Sequence, residues 1–284
     1  MKTPARLLPL LEDGLIDEVV AQLKSGKEAT VYLVRSSGVL RCAKVYKDAH
    51  HRSFKQATRY LEGRKVKNSR AARAMEKGSR FGKQELEEAW QNAEVGALYR
   101  LAAAGVRVPV PYGCFEGVLL MEMVDDGTGH PAPRLGEVAF SPEQARECHD
   151  RLVREVVRML CAGLVHGDLS EYNILMDPNG PVIIDLPQAV DAAGNNHARP
   201  MLERDVENLR LYFGQFAPEL LDTRYAKEIW QHYEAGELTP DTVLTGHVEE
   251  DEAPADLDAL LREIMDAKDE AERRREREAL RYEE

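Results

Sequence analysis

The stretch whose reading decides the fold is His166–Asp185, "HGDLSEYNILMDPNGPVIID". Two strand-like apolar runs, "NILM" and "PVIID", flank the turn residues "DPNG", and that order reads as a hairpin. Its polar residues sit away from the turn. Closing the hairpin brings Asn173 and Asp185 to one open end, with Asp168 just before them. A carboxylate cluster beside apolar strands is costly unless something positive sits in it. The hairpin holds no Lys or Arg. A hard divalent cation would satisfy it, with Asp185 and Asn173 as ligands and Asp168 free to approach a substrate hydroxyl. That arrangement suits phosphoryl transfer, where positioning and charge neutralisation supply most of the catalysis. The same residues also read as a polar loop with an Asp cap and an Asx turn.

Phosphoryl transfer needs further parts, and each has a candidate. Lys44, in "LRCAKVYK", shares a strand face with Cys42, where a cation needs a partner or an edge to snorkel from. In "QELEEAWQNAEVGALYRLAAAG", Trp90, Ala97, Leu98 and Leu101 form an apolar helical stripe, closed by Gly105. Glu94 falls inside that stripe, and an inward Glu implies an inward cation, for which Lys44 is the best candidate. The other reading is an exposed Glu on a rolled helix. A phosphate cradle should precede Lys44. "SGKEATVY" offers Gly26 for close backbone approach and Ser25 and Lys27 for phosphate oxygens, although alone it reads as easily as a plain turn.

Working outward, "ATVYLV" and "GVLRCAKVYK" form a hairpin across "RSSG", and "VRVPVPYGCFEGVLLMEMV" forms strands with a turn at "EG". "IDEVVAQL" is helix or strand; periodicity does not decide. "SPEQARECHDRLVREVVRMLCAG" opens with a Ser cap and Pro and runs amphipathically to Gly163. "RPMLERDVENLRLYFGQF" is another helix, and "DLDALLREIMDAKDEAERRREREALRYEE" is helical by period. The expected architecture is α+β, with a β-rich lobe over 1–120, a mainly helical lobe over 121–236 and a charged tail over 237–284.

The 284 residues are 43% hydrophobic and 31% charged, which is ordinary globular composition. No run is long and apolar enough to span a membrane, and the N-terminus meets acids too early for a signal peptide. Four scattered cysteines read as thiols of a reducing cytosol, so the expected location is cytoplasmic. A net charge of −12 disfavours non-specific nucleic-acid binding by the whole chain. Residues 52–83 nevertheless hold eleven Lys/Arg against two Glu, which can steer an anionic partner. Residues 249–258 are acidic without a Lys or Arg.

The order strand Lys, helix Glu, "HGDLSEYN", "IID" resembles the protein kinase fold. "SGKEATVY", "CAKVYK", "AGVRVPVP", "MEMV", "APRL", "LVHGDLSEYNIL" and "IIDLPQAV" resemble the type-one branch of the RIO family of atypical serine/threonine kinases, over about Leu23 to Phe216. The resemblance implies a two-lobed kinase-like fold with a truncated C-lobe and an ATP- and Mg²⁺-dependent protein serine/threonine kinase with autophosphorylation and ATPase activity, Mn²⁺ being an alternative metal. It implies that Asp168 is the catalytic aspartate, that Asn173 and Asp185 bind the metal, and that Asp185 can accept phosphate transiently. Lys44 with Glu94 would position the α- and β-phosphates, Ser25, Gly26 and Lys27 would line the phosphate loop, and backbone groups of Glu122 and Met123 would meet adenine at the hinge. The absence of a winged-helix module ahead of the core is what a bacterial-like member would show. "IIDLPQAV" departs from many relatives in its Pro and Gln. Two other readings stand beside this one. Aminoglycoside- and choline-type phosphotransferases share the "HGD…N" loop. A nucleotide-gated ATPase switch or scaffold could bind RNA or a ribosomal partner through residues 52–83.

Overall fold

The computed structural model describes residues 3–26, 29–47 and 93–248. The basic segment 52–83, the part of the expected helix before Ala93, Lys27 and the stretches from 249 onward, expected to be acidic and then helical, lie outside the described residues. The chain divides into a compact unit, Met1–His247, and a second unit, Val248–Glu284.

The first half is an antiparallel five-stranded sheet in the order β1-β2-β3-β5-β4. Its strands are β1 (Glu18–Ser25), β2 (Ala29–Ser36), β3 (Val39–Tyr46), β4 (Pro111–Phe115) and β5 (Val118–Glu122). The stretch that periodicity left undecided is β1, an edge strand that is largely exposed and so carries little apolar alternation. The β2–β3 turn sits at Ser37 and Gly38, with φ of 52° and 78°. Two successive left-handed residues match the right-handed twist of the flanking strands, which fixes the register Ser36↔Val39 and Val31↔Lys44. Glu116 and Gly117 make the same turn between β4 and β5.

That register decides which way β3 points each side chain. Ala43 and Val45 join Val34, Val118 and Leu120 in an apolar cluster closed by Leu7, Leu10 and Ile16, two of them from or beside the short helix α1 (Leu8–Glu12). Lys44 and Tyr46 alternate to the opposite face. There helix α2, described over residues 93–103, packs through Ala97, Leu98 and Leu101 into the main core.

The second half is helical, around α3 (Pro142–Cys161). Ser141 caps it reciprocally: Ser141 Oγ accepts from the Gln144 N–H, and Gln144 Oε1 accepts from the Ser141 N–H. Such a cap contributes about 1 kcal/mol. Ala145, Cys148, Leu152, Val156 and Leu160 recur at helical spacing and are buried. Truncating a core residue such as Leu152 to Ala would cost about 2–5 kcal/mol. After α3 come β6 (Leu164–Val165), the hairpin β7 (Ile174–Asp177) and β8 (Gly180–Ile183), β9 (Val190–Asp191), α4 (Ala198–Gly214) and α5 (Tyr225–Glu234). The hairpin closes as expected, with Ile174↔Ile183 and Asp177↔Gly180 paired. Leu238 and Leu244 still pack on the helical core, past the expected start of the tail at 237. The architecture is α+β, with a sheet half and a helical half.

Candidate active site

Three segments converge on one ammonium group. Lys44 Nζ donates to Glu94 Oε1 at 2.5 Å and to Asp185 Oδ1 at 2.8 Å. These partners come from the middle of the sheet, from α2 and from the chain just past β8. Lys44 and Glu94 are 8% and 4% exposed, whereas the Asp185 side chain is about half open at 49%. Tyr46, on the same face of β3, donates its hydroxyl to Glu94 Oε2 at 2.7 Å. Both oxygens of the buried carboxylate are therefore engaged, which is the condition under which such a charge is tolerated. Burial pulls the Lys44 ammonium down, but Glu94 and Asp185 outweigh it and hold its pKa above the ordinary lysine value. Burial likewise opposes ionisation of Asp185, and Lys44 overrides it, holding that carboxyl below its usual range. The ion pair is charged at neutral pH.

Asp185 has a φ of 68°. The other non-glycine residues with positive φ among those described, Ser37 and Glu116, are hairpin-turn residues; Asp185 is not. A left-handed backbone there costs on the order of 1–3 kcal/mol and aims the carboxylate at Lys44.

The loop after β6 faces this cluster. His166 is buried, and its Nδ1 accepts the Asp168 N–H at 3.2 Å. Its Nε2 must then carry the proton, donated to the Ile184 carbonyl at 3.1 Å. One imidazole thus ties the Asp168 loop to the residue preceding Asp185. Asn173 Nδ2 donates to the Asp168 carbonyl at 2.8 Å, which leaves Oδ1 as the amide's remaining acceptor. The Ile184 N–H donates to the Asn173 carbonyl at 2.9 Å, so the hairpin's open end is closed by backbone. Asp168 Oδ2 accepts from Gln188 Nε2 at 3.1 Å. Burial pushes the Asp168 carboxyl above its ordinary value.

Asp205 of α4 holds the loop from below. It is 1% exposed and accepts the Gly167 N–H at 2.7 Å and the Leu169 N–H at 2.9 Å. Arg204 donates to the Gly167 carbonyl, and Asn208 Nδ2 to the Leu169 carbonyl at 2.9 Å. Both peptide groups flanking Asp168 are thereby fixed.

Across the sheet, Lys47 Nζ lies on the β1–β2 turn, donating to the Gly26 carbonyl at 2.6 Å and to Ser25 Oγ at 3.0 Å. Glu122, at the end of β5, exchanges two hydrogen bonds with Val110: its N–H goes to the Val110 carbonyl at 2.8 Å, and its Oε2 accepts the Val110 N–H at 3.0 Å. Met123 follows, buried. Lys44, Glu94 and Asp185 themselves line a small cavity of about 30 Å³, whose apolar walls are Leu98, Leu119, Met121 and Leu186.

The structure brings Lys44, Glu94 and Asp185 into direct contact and joins Asp168 and Asn173 through one loop. Ser25 and Gly26 lie at the β1–β2 turn, Glu122 and Met123 where the sheet gives way to the helical half; Lys27 lies outside the described residues. Sequence reasoning missed Asp205, Tyr46, His166, Lys47 and the contact made by Gln188. Asp205 had a legible signal, since it lies in the buried stripe of Met201, Leu202, Val206 and Leu209. Among the described residues no group of three or more His, Cys, Asp or Glu is arranged to hold a metal. A half-open carboxylate with an amide oxygen is instead the donor set of a cation that takes its remaining oxygens from phosphates and water.

The RIO domain family profile matches residues 30–226. The chain is 37% identical over 222 residues to the RIO-type serine/threonine-protein kinase Rio1 of Haloferax volcanii, covering 74% of this chain and 68% of that protein. It is 32% identical to serine/threonine-protein kinase rio1 of Schizosaccharomyces pombe and 31% identical to serine/threonine-protein kinase RIO1 of Homo sapiens. Those alignments cover 75% and 78% of this chain but only 41% and 38% of the relatives, so the chain spans less than half their length. Among solved structures, the Rio2 kinase-ADP/Mg²⁺-phosphoaspartate complex of Chaetomium thermophilum superimposes with a TM-score of 0.53 at 21% identity. That match covers 74% of this chain and 59% of the other, and it is a likeness of fold.

Proposed function

The chain belongs to the RIO domain family, and from that premise we propose that it is an ATP-dependent protein serine/threonine kinase. The observation that carries the reading is the bridge from Lys44 Nζ to Glu94 and Asp185. A fixed cation beside a half-open carboxylate, at the junction of sheet and helices, is what a metal-bound triphosphate requires. Lys44 holds the α- and β-phosphates and Glu94 orients Lys44. Ser25 and Gly26 line the phosphate side, and backbone groups of Glu122 and Met123 meet adenine. The Glu122 N–H is already given to Val110, so its carbonyl is the group left for the base. Mg²⁺, held by Asp185 and the Asn173 amide oxygen, would neutralise charge developing on the transferred phosphoryl group; Mn²⁺ offers the same donor preference. Asp168 takes the proton of the acceptor hydroxyl as its oxygen attacks the γ-phosphorus and the bond to the β-phosphate oxygen breaks. Its raised pKa favours that role. The two lobes meet near residue 120, and the protein works in the cytoplasm, in keeping with its four free cysteines.

The half-open state of Asp185 favours a second acceptor. Its Oδ2 can attack the same phosphorus, releasing ADP and leaving an acyl phosphate whose hydrolysis amounts to ATPase turnover. The solved structure with the matching fold is of a phosphoaspartate complex. A small-molecule acceptor is disfavoured, because the similar proteins carry protein-kinase names. The test is transfer of labelled γ-phosphate to a generic protein acceptor and to the chain itself, run beside ADP release. Lys44→Ala and Asp185→Ala should abolish both, and hydroxylamine should strip label from Asp185 but not from a phosphoserine. Wild-type rates in either variant would sink the assignment.

A further inference from the structure

We propose that the helical half carries a second anion site, for phosphate groups, in the groove between α4 and the start of α5. The groove holds about 430 Å³, inside the range of roughly 300–1,000 Å³ typical of small-ligand pockets. Its walls carry five cationic side chains, Arg199, Arg204, Arg210, Arg224 and Lys227, against two acids, Glu203 and Glu207. That excess of positive charge is concentrated in a chain whose net charge is −12.

The internal pairing uses up both acids and not the cations. Arg210 spends Nε and Nη2 on the two oxygens of Glu207, at 2.7 and 2.6 Å. Arg199 Nε takes Glu203 Oε1 at 2.9 Å. Arg204 reaches a neutral acceptor, the Gly167 carbonyl, so its charge meets no carboxylate within the groove. Among the described residues, Arg224 and Lys227 make no side-chain hydrogen bond or ion pair at all. Both lie at the beginning of α5, a ten-residue helix that starts with no side-chain cap. Its positive end and its first turn form one wall of the groove.

Glu207 feels the charge of Arg224 and Asp205 that of Arg204, but among the described residues neither cation has a hydrogen-bonded carboxylate, and cations converging in a concave site focus a positive field that attracts anions. Two guanidinium forks, an ammonium and a helix start favour a compact multivalent oxyanion over a lone carboxylate. The chemistry recognised is therefore a phosphate ester or free phosphate, borne by a phosphorylated side chain or by a small molecule. The site shares no residue with the Lys44 cluster, so it stands whether or not the kinase reading does.

The test uses the full chain and two probes: inorganic phosphate by calorimetry, and a labelled phosphoserine peptide with its unphosphorylated twin by fluorescence anisotropy. Wild type should bind phosphate saturably and one to one. Lys44→Met, kept under conditions where its unfolding midpoint shows it folded, should bind equally well, since Lys44 lines the cleft and not this groove. The pair Arg224→Gln with Lys227→Gln should weaken binding by about tenfold or more, and Arg224→Glu with Lys227→Glu should abolish it. Binding of the phosphopeptide but not its twin, competed by phosphate, identifies a phosphorylated protein as the source; binding of phosphate alone identifies a small molecule. The absence of saturable binding, its loss in folded Lys44→Met, or its survival in Arg224→Glu with Lys227→Glu overturns the proposal. Unfolding midpoints of Arg224→Gln with Lys227→Gln and of Lys44→Met, measured alongside, show that each is folded under the binding conditions.

Discussion

Replacing Asp205 by Asn changes little in shape and much in charge. In the wild type both carboxylate oxygens accept backbone N–H groups, from Gly167 and Leu169. An amide can serve one of them and must turn its NH₂ toward the other, leaving one buried donor unmet at a cost of about 1–3 kcal/mol. Against this stands the charge itself. Burial pushes the Asp205 carboxyl from 3.8 up to about 6. Between those values the folded state binds more protons than the unfolded state, so the stabilising effect of this group is present at low pH and is lost as pH rises through about 6. A displacement of that size corresponds to roughly 3 kcal/mol in full, of which roughly 2–3 kcal/mol falls between pH 4 and pH 7. Asn does not titrate. Urea unfolding of both proteins at a series of pH values should therefore show the wild-type advantage shrinking by that amount over the interval, while other titrating groups cancel in the difference. A difference independent of pH would refute the account of Asp205 as a carboxylate buried against its own ionisation. Turnover should report the geometry separately: the variant should lose kcat and keep its affinity for nucleotide, because the Lys44 cluster does not touch α4.

Lys44→Met leaves Glu94 buried with only Tyr46 beside it and should destabilise the fold by about 3–5 kcal/mol, part of which Glu94→Gln restores in the double variant; denaturant titration of the cycle checks both. Gln188→Ala frees Asp168 Oδ2 from an internal competitor for the acceptor hydroxyl, so KM for the protein acceptor should fall while the Kd for nucleotide stays constant; an unchanged KM would show that the contact is incidental. Asn173→Ala removes both a loop hydrogen bond and an amide oxygen, and should raise the Mg²⁺ concentration needed for half-maximal turnover by about tenfold. Tyr46→Phe strips one of the donors to Glu94 and should cost about 1–2 kcal/mol in thermal or chemical unfolding.

What the sequence displayed and what it concealed follow from where each partner lies. The sheet was legible because its turns are local: "SSG" and "EG" supply the left-handed residues that a two-residue hairpin needs, and register follows from them. The edge strand β1 was hard to read for the converse reason, since only Val19 and Ala21 are half-buried and the exposed Val20 between them masks the alternation. Glu94 could be assigned because an acid in an apolar stripe demands a cation, and the chain offered one on a strand face. Asp205 satisfies the same premise on α4, but its partners are two backbone amides, a group every residue carries and no pattern of side chains advertises. Lys47 and Gln188 escaped because they act across turns whose closure only tertiary structure fixes. The Lys44–Asp185 contact spans 141 residues, and no periodicity joins its ends. Chemistry alone reached only part of it: it paired Lys44 with Glu94 and gave Asp185 a metal ion, while the direct Lys44–Asp185 bond, which leaves the other face of that carboxylate open, appears only once the fold brings β3 and the end of the β7–β8 hairpin together.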